Sequence, residues 1–169
     1  PQALKTLPKE LRARLHITQQ CREEYLEQTQ QAYEEAQIDV KLMPFVEDVS
    51  GELEKCHLFI GRSGASTVAE ITAAGRPAIF VPYPHHKDQQ QKMNADVVAD
   101  RGGAWVMIEN SFTPEVVSER IETILRNPSK LFKAAENARE CAKPDAARRL
   151  GNLVTELVSG WGERETIVK

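Results

Sequence analysis

Apolar positions along the chain form two kinds of run, and the two alternate. Short strand-like runs at residues 15–19, 40–45, 58–60, 78–82 and 104–108 predict strands. Between and after them, apolar residues recur at helical spacing over 25–36, 65–74, 89–100, 114–126, 129–142 and 145–158. Thr113, Pro114 and Glu115 read as an N-cap, a proline at the first helical position and an acid in the first turn. Asn127-Pro128 punctuates the C-terminal helices. Runs such as AIFV, apolar at every position, suit parallel strands covered on both faces. The expected class is therefore α/β with a doubly wound parallel sheet, one domain over 1–160 and an aperiodic, frayed tail over 161–169.

The opening PQALKTLPKEL reads as the second half of a crossover helix with no strand before it. A doubly wound domain opens on a central strand whose glycine-rich turn holds phosphate. The expectation is that this first central strand is missing and that the chain is part of a longer polypeptide.

Composition narrows the function. With 169 residues and 41% hydrophobic content the chain can bury one core of its own. A net charge of -3 without a clustered basic face argues against nucleic acid as a partner. Cys21, Cys56 and Cys141 show no CxxC spacing, so neither a disulfide framework nor a zinc site is indicated. The longest apolar runs are strand-sized and no charged-then-apolar leader opens the chain; any membrane contact is expected to be peripheral.

The chemistry concentrates between Phe59 and Gln91. Ser63-Gly64-Ala65-Ser66-Thr67 marks a strand end and a helix start, where unpaired N–H groups and the helix dipole suit phosphate. The alternative is a plain cap by Ser63. Glu70 lies one and a half turns into that helix, placed either to bridge ribose hydroxyls or to close a Thr67-x-x-Glu70 capping box. Asp88 and Gln91 fit a capping box for the next helix, whose Gln90 and Gln91 amides suit sugar hydroxyls. Neighbouring His85 and His86 lack the spacing of a metal site.

Taken together, GRSGASTVAEITAAGRPAIFVPYPHHKDQQQKMNA resembles the C-terminal half of the MurG family, bacterial transferases that add N-acetylglucosamine to lipid-linked muramyl pentapeptide. The resemblance extends more loosely over 1–160. It implies a Rossmann-like C-terminal half of a GT-B glycosyltransferase that binds UDP-N-acetylglucosamine, with no cofactor or metal, in an enzyme held peripherally at the cytoplasmic face of the inner membrane. By motif, Gly64, Ala65, Ser66, Thr67 and Val68 would receive the diphosphate and Glu70 the ribose. The backbone of Val46 would read the uracil, and Gln90 and Gln91 would contact the sugar. Arg62 is either a further donor contact or a structural ion pair. The family's acceptor domain and its proposed basic histidine are not in this sequence, so no catalytic base is assigned. Two other readings stand beside this one: a stand-alone donor-binding subunit of a split N-acetylglucosaminyltransferase, and a non-catalytic UDP-sugar-binding module.

Overall fold

The computed structural model describes residues 1–85 and 87–165, the last helix by its backbone alone from residue 160. Five strands and nine α-helices alternate in it. The strands are β1 (His16–Gln20), β2 (Asp39–Met43), β3 (Phe59–Gly61), β4 (Ala78–Phe80) and β5 (Ala104–Val106). The helices are α1 (Gln2–Lys5), α2 (Lys9–Arg12), α3 (Leu26–Glu35), α4 (Val49–Lys55), α5 (Ala65–Ala74), α6 (Gln90–Ala99), α7 (Pro114–Leu125), α8 (Pro128–Glu140) and α9 (Ala146–Glu165).

All pairing is parallel, as the apolar runs predict. The strands nevertheless fall into two sheets, β1-β2 and β3-β4-β5, rather than the single sheet expected. Among the described residues β1 pairs only with β2 and β3 only with β4, so each keeps one edge without a strand beside it. Common packing still joins the sheets. Leu4 and Leu15 belong both to the cluster around Ile79 and Met107 and to the cluster around Tyr33 and Ile38. On α4, Glu52 accepts hydrogen bonds from Thr18 of β1 and Lys41 of β2, while Leu53 packs in the core under β4.

β4 sits at the centre of the larger sheet, with Ala78, Ile79 and Phe80 fully buried. Because side chains alternate along a strand, it serves two cores. Ala78 and Phe80 pack with Leu53, Ile71, Ala95 and Val98 on one face, and Ile79 with Leu7, Val117, Ile121 and Ile124 on the other. Burying Ile79 and Phe80 contributes roughly 1.5–3 kcal/mol each. The result is a three-layer α/β arrangement that holds the C-terminal ends of β3, β4 and β5 along one edge.

Local signals place most boundaries. Thr113 caps α7 through its Oγ1, which accepts from Val116 N–H at 3.4 Å. Helix α4 has no counterpart among the predicted helices, because it is short and contains Gly51. Its signal was Asp48, whose carboxylate accepts from the Gly51 N–H at 2.9 Å. At the other end, α9 continues to Glu165 instead of stopping at 158, so the predicted tail begins inside the helix; 166–169 lie outside the described residues. No helix among the described residues is long and apolar enough to cross a membrane.

Candidate functional site

The turn after β3 is built from a buried serine. Ser63 is fully buried, and its hydroxyl donates to the carbonyl of Gln91 at 2.7 Å instead of capping the helix that follows. Gly64 is the N-cap of α5 and supplies no side-chain acceptor. The first helical hydrogen bond runs from Val68 N–H to Gly64 C=O, which leaves the N–H groups of Ala65, Ser66 and Thr67 without an acceptor among the described residues. Three free donors thus stand at the positive end of a ten-residue helix, where backbone N–H groups and the helix dipole favour negative charge.

Nothing in the protein itself demands glycine at position 64. Its φ is -59°, and an added Cβ would meet only Thr67 Oγ1, at 3.7 Å. What glycine provides here is an unobstructed approach to the helix end.

Glu70 is exposed and makes no hydrogen bond or ion pair among the described residues. The Thr67-x-x-Glu70 capping box does not form, since Thr67 lies inside the helix and Gly64 occupies the cap. The carboxylate is therefore free for a ligand.

After β4 the chain turns through Tyr83 and His85, whose rings meet edge-on at 5.3 Å; His86 lies outside the described residues. Gln89 adopts the left-handed conformation, φ 50°, and starts α6. A non-glycine residue there is uncommon, and it sets the direction in which Gln90 and Gln91 leave the turn. The predicted Asp88–Gln91 capping box is not observed. Gln91 Oε1 instead accepts from the Tyr83 N–H at 3.0 Å, and Asp88 Oδ2 accepts from Gln90 Nε2 at 2.7 Å. Asn94 Nδ2 adds a bond of 3.1 Å to the Ser63 carbonyl, so the turn after β3 and the start of α6 are joined twice.

Arg62 is committed internally. Its Nη1 donates to the carbonyls of Val81 and Pro82 at 3.1 and 3.2 Å and to Glu109 Oε2 at 2.9 Å, and its guanidinium lies 5.5 Å from the centre of the Tyr83 ring. These contacts match the ion-pair alternative and brace the turns after β3, β4 and β5 against each other.

Val46 belongs to a separate feature beyond β2. There an open pocket of about 300 Å³ is lined by Lys41, Phe45, Val46, Asp48 and Glu52 among others. Phe45, unassigned from the sequence, is 70% exposed beside Val46 and gives this pocket an aromatic wall. Hydrogen bonds from Gly51 N–H and the Ser50 hydroxyl, in that order of weight, hold the Asp48 carboxyl below its usual range; Lys41 and then Thr18 do the same for Glu52. The structure thus gathers Arg62, Gly64–Thr67, Gln90 and Gln91 around the Ser63 turn, with Val46 in the loop that follows β2 of the neighbouring sheet. Sequence reasoning missed Ser63 as a tie and Asn94 altogether, since neither carries a motif by itself.

Comparison with known proteins bears on the family and the fold. The Glycosyltransferase family 28 C-terminal domain matches residues 1–150. A UDP-N-acetylglucosamine--N-acetylmuramyl-(pentapeptide) pyrophosphoryl-undecaprenol N-acetylglucosamine transferase from Rhodospirillum centenum is 47% identical over 154 residues, 91% of this chain and 41% of the relative. The protein of the same name from Paramagnetospirillum magneticum is 46% identical, over 94% of this chain and 43% of its own length. The crystal structure of Acinetobacter baumannii MurG superposes with a TM-score of 0.81 at 36% identity, covering 92% of this chain and 44% of that one. Glycosyltransferase VinC, at 21% identity and a TM-score of 0.63, shares the fold. The chain spans less than half the length of these relatives. By the match over nearly its whole length, this chain belongs to the glycosyltransferase family 28 C-terminal domains.

Proposed function

We propose that this chain is the UDP-N-acetylglucosamine-binding domain of an inverting glycosyltransferase that acts on lipid-linked muramyl pentapeptide, converting lipid I to lipid II in peptidoglycan synthesis. The observation that carries the reading is the uncapped start of α5, with three free N–H groups, an approach kept open by Gly64, and the unpartnered Glu70 on the same helix. Two of the most similar relatives carry this transferase name in full.

In this reading the diphosphate rests on the N–H groups of Ala65, Ser66 and Thr67, where Ser66 and Thr67 can add hydroxyl donors. Glu70 accepts hydrogen bonds from the ribose hydroxyls, and the Val46 backbone at the edge of its pocket reads the uracil. Gln90 and Gln91 contact the sugar. Arg62 supports the turns rather than the ligand. A hydroxyl of the lipid acceptor attacks the anomeric carbon, the bond to the diphosphate breaks, and UDP leaves with its added charge facing the fixed dipoles of α5. No residue of this chain is assigned to hold the acceptor or to take its proton. That polypeptide works peripherally, at the cytoplasmic face of the inner membrane.

The test is transfer by the full-length polypeptide that carries this domain. Supplied with UDP-N-acetylglucosamine and the lipid-linked acceptor, it should release UDP and form the disaccharide-linked lipid with inversion at the anomeric centre. UDP release that does not depend on the acceptor would refute the transferase assignment.

A further inference from the structure

We infer that Ser63 and Asn94 are positioning residues that lock the phosphate turn to the glutamine helix, so that the diphosphate and the sugar of the donor are held in fixed register by one body. The inference rests on the donor-binding reading above and deepens it.

The clamp is reciprocal. The Ser63 hydroxyl donates to the Gln91 carbonyl at 2.7 Å, while Asn94 Nδ2 donates to the Ser63 carbonyl at 3.1 Å. Ser63 is fully buried, so neither bond on its side competes with bulk water. The two bonds span 28 and 31 residues of sequence and connect the turn after β3 to the first turns of α6, which follows the adjacent strand β4. Arg62 ties the two turns close to the strand ends, and these two bonds fix the start of α6 against the turn that opens α5.

The same network fixes the polarity of the two glutamines. A backbone N–H can be satisfied only by the oxygen end of an amide, so the bond from Tyr83 N–H to Gln91 Oε1, 3.0 Å, leaves Gln91 Nε2 as the end without a partner among the described residues. A carboxylate accepts only from the nitrogen end, so the bond from Gln90 Nε2 to Asp88 Oδ2, 2.7 Å, leaves Gln90 Oε1 open. Gln91 therefore presents donors and Gln90 an acceptor. The ligand group that satisfies both is a hydroxyl, which donates and accepts, and adjacent hydroxyls of a sugar fit the pair.

Titration of the full-length polypeptide with UDP and with UDP-N-acetylglucosamine separates this role from a merely structural one. Ser63→Ala should leave UDP affinity within about threefold and weaken UDP-N-acetylglucosamine by about tenfold, the cost of one well-placed hydrogen bond in the register of the sugar. The double variant Ser63→Ala with Gln91→Ala should bind the sugar nucleotide no more weakly than Gln91→Ala alone, because Ser63, bonded to the Gln91 backbone carbonyl, acts on the sugar through the Gln91 side chain. Asn94→Asp keeps the side-chain shape but removes the donor; it should repeat the Ser63→Ala pattern, and it carries the test if Ser63→Ala does not fold. A parallel loss for both ligands, additive losses in the double variant, or no change would overturn the inference while leaving the donor reading intact. A parent polypeptide that binds UDP-N-acetylglucosamine no more tightly than UDP would overturn the sugar role of the glutamines, and the inference with it.

Discussion

Arg62 Nη1 lies 2.9 Å from Glu109 Oε2, joining the end of β3 to the segment after β5 across 47 residues of sequence. Both side chains are close to half exposed, so the ion pair itself is worth only about 0.2–1 kcal/mol. The carbonyls of Val81 and Pro82, held by the same nitrogen, make Arg62 the larger contributor. Arg62→Ala is expected to lower the stability of the full-length polypeptide by about 1 kcal/mol, and Glu109→Ala to add little to it in the double variant. Chemical denaturation of the three variants measures this. Loss of UDP affinity with unchanged stability would instead make Arg62 a direct donor contact.

Two glycines separate folding from binding. Gly64→Ala meets nothing closer than 3.7 Å, so its melting transition should stay within about 0.5 kcal/mol of the parent. Its affinity for UDP should fall if the diphosphate rests on the start of α5 as proposed, because the added methyl group sits at the N-cap of that helix. Gly103→Ala brings a Cβ to 2.7 Å from the Ala138 backbone nitrogen and 2.8 Å from its Cα, which α8 cannot give up without shifting. A destabilisation of roughly 1–3 kcal/mol is expected there. Equal folding defects in the two variants would contradict the assignment of Gly64 to ligand approach.

Much of this was legible in the sequence for identifiable reasons. AIFV gave the central buried strand because apolar residues at every position need cover on both faces, and the structure buries Ala78, Ile79 and Phe80 completely. Thr113 and Pro114 gave the start of α7 because cap chemistry is local. The two capping boxes failed for the opposite reason. Asp88 and Gln91 have the right spacing, but the Tyr83 N–H and the Gln90 amide compete for those groups, and both depend on how the loop folds back. Ser63 was legible as part of a turn but not as a tie, since its partners lie on α6 and only the packed structure brings them within reach. Glu70 shows the limit of spacing alone: the sequence allowed a capping partner, and the helix start at Gly64 removed it.

Acid should loosen the pocket beside Val46. The Asp48 carboxyl is held below its unfolded value by the Gly51 N–H and the Ser50 hydroxyl, so its support of α4 is complete above the ordinary carboxylate range and lost as pH falls through the lower folded value. Glu52, held down chiefly by Lys41, shifts in the same direction. Below about pH 4, hydrogen exchange at the Gly51 amide should accelerate relative to that of Ile71 in the core. Asp48→Asn should remove most of that pH dependence. Exchange that follows pH identically at the two sites would contradict it.

The open edges of β1 and β3 bear on stability. Among the described residues each strand has a partner on one side only, and Ile60 of β3 remains 40% exposed. Unpaired strand edges favour association with other chains. This chain on its own is expected to melt at a lower temperature than the same residues within the full-length polypeptide and to self-associate as concentration rises. Calorimetry and sedimentation of the two would settle it; a cooperative, high-temperature melt of the isolated monomer would show that these edges cost little.

In the proposed function the start of α5, Glu70 and the glutamine pair form one UDP-N-acetylglucosamine site. Calorimetric titration of the full-length polypeptide, parent against Glu70→Ala, tests it most directly. The parent should bind UDP-N-acetylglucosamine more tightly than other UDP-sugars. Glu70→Ala should weaken that binding by at least about tenfold, on the order of the 1.4 kcal/mol expected for hydrogen bonds from ribose hydroxyls to a charged acceptor, with an unchanged melting transition. Undiminished affinity in Glu70→Ala, or equal affinity for every UDP-sugar, would contradict the account.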